Sequence, residues 1–134
     1  MVVVIIAAMQ IAMAAEPAKK FATDEQKVAY AKKNLAAAFR TGNPGIIESA
    51  ARLTAVMKMR YPETEIAELT GMMEKISNTH SSGCLRYKMY VALHICANPE
   101  WYANEQSVAA ADQEGFFRTA ATRMQEKLLS ASAL

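Results

Sequence analysis

The chain has 134 residues and a formal charge of +2, with 52% hydrophobic residues but only 7% aromatic ones. That length suits one domain, and so small a positive charge gives no ground for a nucleic-acid partner. Ala, Leu and Met dominate while Gly and Pro are few, which favours an all-α domain over a sheet.

Residues 1–15 carry no charge, begin Val2-Val3-Val4-Ile5-Ile6 and end Ala12-Met13-Ala14-Ala15. An apolar run closing in a small-x-small pattern is the pattern of a secretory signal peptide, here without a basic residue ahead of it. It is shorter than the roughly 20 apolar residues that a spanning helix needs, so no stable membrane span is expected after cleavage at Ala14 or Ala15. The expectation is a periplasmic or secreted protein. Residues 16–22 read as a flexible lead-in, 23–130 as the helical domain and 131–134 as a frayed tail.

Helix 1 should start at Thr23, an N-cap with Gln26 three residues on and Asp24 and Glu25 in the first turn. Its apolar stripe is Val28, Ala31, Leu35, Ala38 and Phe39. Gly42 suits a left-handed C′ position, and Asn43-Pro44 suits the N-cap and N1 of helix 2. So tight a link makes the two helices antiparallel neighbours. Helix 2 places Ile46, Ala50, Leu53 and Met57 on one stripe, with Ile47 and Val56 beside it, and Pro62 stops it.

Helix 3 is expected from residues 62–64 onward, with Ile66, Leu69, Met73 and Ile76 inward. Its outer face is acidic, carrying Glu63, Glu65, Glu68 and Glu74. Gly71 within it would cost about 1 kcal/mol against Ala, and reads as a mark of close packing. After the polar loop from Asn78 to Gly83, helix 4 is expected over residues 84–97, with Leu85, Met89, Ala92, Leu93 and Cys96 inward. Pro99 ends it, and Trp101 and Tyr102 fall in a following helical turn. The rest is helical in pattern with a break near residues 112–115, its last stripe being Phe116, Phe117, Ala120, Met124 and Leu128.

Tyr61-Pro62-Glu63 and Asn98-Pro99-Glu100 stand 37 residues apart. The same shift places Leu35 on Met72, Phe39 on Ile76, Ala55 on Ala92 and Val56 on Leu93. Periods of about 34 to 47 residues in helical sequence are the sign of an α-solenoid. Over residues 24–100 the chain resembles HEAT-like helical repeats in period and hairpin layout, although neither first helix has an interior Pro and the turns carry Asn43 and Asn78 where an Asp is common. The resemblance implies antiparallel hairpins stacked as a short α-solenoid; a compact helical bundle is the competing architecture. Two hairpins fall short of a stable array, so the C-terminal helices must supply a third layer.

Little of the sequence points to catalysis. G-x-S-x-G, H-E-x-x-H, phosphate-loop and C-x-x-C-H patterns are missing, and no cofactor is implied. Cys84 and Cys96 share helix 4, where twelve residues at about 1.5 Å each separate them by about 18 Å, too far for a disulfide. His94 and Cys96, two apart, point to different helix faces. Met57, Met73, Met89 and Met124 fall on core stripes, which favours gap-filling over thioether metal ligation.

In a solenoid the second helices line one surface. Here that surface would be mildly basic and carry Arg52, Arg86, Tyr87 and Tyr90, with Trp101 and Tyr102 just beyond it. Arg and aromatic residues are frequent interface anchors. Tyr90 aligns with Leu53, so the same spacing would equally place it in the core. The functional expectation is an exported, non-enzymatic helical-repeat module that binds a protein or peptide. Its alternative is a periplasmic small-ligand or metal-binding bundle.

Overall fold

In the computed structural model, residues 23–102 and 112–132 are described. The signal-like segment and lead-in lie outside them. Five α-helices and one 3₁₀ turn make up the described chain: α1 Asp24–Phe39, α2 Pro44–Arg60, α3 Ala67–Thr79, α4 Gly83–Ala97, the 3₁₀ turn Pro99–Trp101, and α5 Gln113–Ser132. No strand occurs among these residues, and no helix is long and apolar enough to cross a membrane.

The helix ends follow local chemistry. Thr23 Oγ1 accepts the Gln26 N–H at 3.2 Å, and Asn43 Oδ1 accepts from Gly45 and Ile46 at 3.0 and 3.2 Å, so both caps satisfy donors with no partner inside the helix. Gly42 adopts φ +72°, the left-handed conformation that a tight α1–α2 link requires. Each Pro-Glu pair ends a helix: Pro62-Glu63 forms a turn after α2, and Pro99 opens the 3₁₀ turn after α4.

The start of α3 differs from the sequence expectation. Residues 64–66 stay non-helical and the helix begins at Ala67, because Ile66 is drawn into the core at 6% exposure. Ile66 has no capping oxygen, so the Glu65 carboxylate accepts the Ala67 N–H in its place. Gly71 faces solvent with open space around it, so it does not mark close packing. Of the stretch read as helical from residue 104, residues 104–111 lie outside the described residues; within residues 112–115 lies the start of α5, where Asp112 Oδ1 accepts the Gly115 N–H at 2.8 Å.

Two hairpins, α1–α2 and α3–α4, pack with α1 against α3 and α2 against α4. Small side chains let the α2–α4 seam close: Ala50, Ala51, Thr54 and Ala55 of α2, and Val91 and Ala92 of α4, are completely buried. The Thr54 hydroxyl donates to Ala50 O at 2.7 Å, so the seam buries it with its polarity satisfied. Around the seam lie Leu35, Phe39, Leu69, Met73, Met89 and Ile95. Helix α5 rests on α2 and α4 through Phe116, Phe117, Ala120 and Met124. It therefore covers the second-helix face and does not add to the row of first helices.

The second helices meet near the 37-residue spacing, and the first helices do not. Ala55 and Ala92 are both fully buried, and Glu48 pairs with Lys88 across a separation of 40 residues, close to the 37-residue shift. Arg40, just past the end of α1, instead bonds Glu68 in the first turn of α3, a separation of 28. Stacking in register would bring it to the other end of α3, so the first helices do not follow the 37-residue shift. The burial agrees: Leu35 is buried, but its counterpart Met72 is only partly so, and Met73 takes the core position.

Candidate functional site

An open groove of about 760 Å³ lies between the extended link before α3 and the outer faces of α3 and α4. Its wall is built by the late start of α3. Lys58 Nζ donates to Thr64 O at 2.7 Å, which ties the link to the end of α2 and holds the groove open. Ile66, Ala67, Leu93 and Ala97 give it an apolar lining, and Glu63, Glu65 and Glu74 set acidic groups along it. Tyr90 borders the groove at 48% exposure and stacks on Tyr87 at 47%, ring centroids 6.5 Å apart and planes 29° from parallel. Exposed paired aromatics beside a concave apolar surface are the chemistry of a partner-binding anchor.

His94 and Cys96 also border this groove, although their spacing directs them to different faces of α4. His94 Nδ1 and the Tyr102 hydroxyl share a hydrogen bond at 3.0 Å, and the Trp101 ring lies 5.1 Å from the imidazole. Burial lowers the His94 pKa, so the ring stays neutral to lower pH than an exposed histidine. Burial pushes the Cys96 thiol up to about 12, against a weaker pull from Lys58, and leaves it unreactive at neutral pH. Cys84 is exposed and Cys96 buried, both as free thiols. Among the described residues no group of three or more His, Cys, Asp or Glu is placed to hold a metal. Met57, Met73, Met89 and Met124 are all buried in the core.

A second polar cluster lies beneath α5. Lys88 Nζ sits 2.6 Å from Glu48 Oε1 and 2.7 Å from Glu114 Oε1, with only 10% of its side chain exposed. Burial pulls the Lys88 pKa down, but the hydrogen bonds to Glu114 and Glu48 outweigh it and hold the ammonium above the usual range. Its ammonium also lies 5.6 Å from the centre of the Phe117 ring, and the Arg52 guanidinium lies 5.5 Å from that of Phe116. Ser49 Oγ is 3.1 Å from Gln113 Oε1. These groups face one another across helix contacts and serve to seat α5.

The six residues expected to line one partner surface fall in three places. Tyr87 and Tyr90 are together and exposed, with Arg86 exposed on the same helix and its guanidinium bonded to His80 O at 2.7 Å. Trp101 and Tyr102 gather around His94, Trp101 half-buried and Tyr102 completely buried. Arg52 is 6% exposed beneath α5, because α5 covers the face on which the sequence placed it. The sequence reading missed Lys58, Ile66 and Leu93 as groove residues. The signal available was the short polar link after Pro62, too short to be a helix and long enough to form a wall.

No protein-family model, curated protein or solved structure matches this chain.

Proposed function

We propose that this chain is an exported, non-enzymatic module of HEAT-like helical hairpins that binds a protein or peptide segment in the groove between α3 and α4. The observation that carries the reading is the joining of an apolar trough, an acidic border and the exposed Tyr87–Tyr90 stack on one face. That combination favours a segment offering an aliphatic side chain to Ile66 and Leu93 and a Lys or Arg to Glu63 and Glu74. Lys88 and Glu48, by contrast, are engaged in holding helices together.

Selection of a random peptide library on the chain tests this. Enriched peptides should combine Leu or Ile with Lys or Arg, and a Tyr90→Ala/Glu74→Lys variant should bind them at least about 10-fold more weakly. Absence of enrichment, or binders indifferent to those substitutions, sinks the reading. Export is tested separately by N-terminal sequencing of the protein from its native cell, which should begin after Ala14 or Ala15. A small-ligand or metal-binding bundle is the second reading, favoured by His94 and Cys96 bordering a groove of ligand size. Tight, stoichiometric uptake of Cu(I) or haem in titration would put it first.

A further inference from the structure

Four large apolar side chains are exposed among the described residues: Tyr87, Tyr90, Leu128 and Leu129. They form two patches. Tyr90 lines the acid-bordered groove with Tyr87 stacked on it, and the leucines, 41% and 71% exposed, lie in the last turns of α5, beyond its final buried residue Met124. The leucine patch carries Lys127. Its neighbour Glu126 is paired with Arg123 within α5 at 3.5 Å, so the charge the patch offers is positive. The groove offers the reverse, since Lys58 is turned to Thr64 O while Glu63 and Glu74 lie along it. We propose that the α3–α4 groove receives the end of α5 from a second copy of this chain, with Leu128 and Leu129 against Tyr90 and Leu93, and Lys127 against the acidic border.

The proposal rests on the groove being a peptide-binding surface and names its occupant. Donor and acceptor are different surfaces of one molecule, so a pair joined by one contact keeps a free groove and a free helix end, and a pair joined by two reciprocal contacts keeps neither. The first kind of pair grows into chains unless its rotation closes a ring.

Sedimentation equilibrium of the wild-type chain and two variants tests it. Leu128→Asp/Leu129→Asp removes the donor, and Tyr90→Ala/Glu74→Lys removes the acceptor. All four positions are exposed, and unchanged helical circular dichroism checks that each variant folds. The wild type should gain mass with concentration, to a dimer or beyond, while each variant alone should associate at least about 100-fold more weakly. A 1:1 mixture of the two variants should restore association and stop at a heterodimer, because one intact groove then meets one intact helix end. A wild type that stays monomeric into the millimolar range overturns the proposal. So does a mixture that stays monomeric, or a variant that associates as well as the wild type. The library experiment separates the two readings: a monomeric chain whose groove still selects basic, aliphatic peptides loses only the self-docking.

Discussion

The α2–α4 seam and the seat of α5 solve the same packing problem with opposite chemistry. At the seam, Ala50, Ala51, Ala55 and Ala92 vanish from solvent, and backbone proximity replaces side-chain specificity. Under α5 the contact is made by Phe116 and Phe117 roofing two cations, with Lys88 held between Glu48 and Glu114. The alanines of the seam gain stability from close packing but mark no register of their own; the Glu48–Lys88 pair, which joins α2 to α4, sets it. A buried ion pair adds little net stability, yet its partners can meet in one arrangement only. The seam thus supplies cohesion, and the seat fixes where the last helix lies.

Substitutions should separate these roles. Phe116→Ala should cost the most, about 4 kcal/mol by chemical denaturation, since it opens a cavity at a fully buried site and uncovers Arg52. Lys88→Met should cost about 3 kcal/mol, because it leaves Glu48 unpaired at a side-chain exposure of 14%. Adding Glu48→Leu should recover most of that loss, since the isolated charge is then gone. A double variant as unstable as the single one would show that Lys88 acts through packing of its stem. Ala92→Leu should cost about 2 kcal/mol by forcing the seam apart. If it proved neutral, the seam would have slack that its complete burial denies.

The two regions were unequally legible in the sequence. Helix ends were readable wherever a local signal sets them: Thr23, Gly42, Asn43 and both prolines act where the spacing placed them. The all-helical architecture was readable for the same reason, and Ala55 and Ala92, 37 residues apart, are both fully buried. The start of α3 was not, because burial of Ile66 overrides the helix-opening preference of the Pro62-Glu63 pair. Nor was the fate of Arg52. Periodicity gives the face of a helix but not what comes to lie on it, and α5 is joined to that face through 60 residues of intervening chain. The groove was legible only in parts, because its walls come from the link, α3 and α4 together.

His94 lies where the two regions meet, on the seam helix α4 and against the 3₁₀ turn whose Trp101 O accepts from Arg123 of α5 at 3.3 Å. Its pKa in the folded chain is lowered by burial, so on acidification the unfolded chain takes up the proton first. The stability tied to the neutral ring is therefore complete above the ordinary histidine value of about 6.5 and declines as the pH falls below it. His94→Gln should remove that decline while adding a pH-independent cost of about 1 kcal/mol for the altered bond to Tyr102. The measurement is the difference between wild-type and variant unfolding free energies across this range, in which carboxylate titration common to both cancels. A difference that stays constant with pH would mean that the imidazole is as easily protonated in the folded chain as in the unfolded one. The junction would then be open to water.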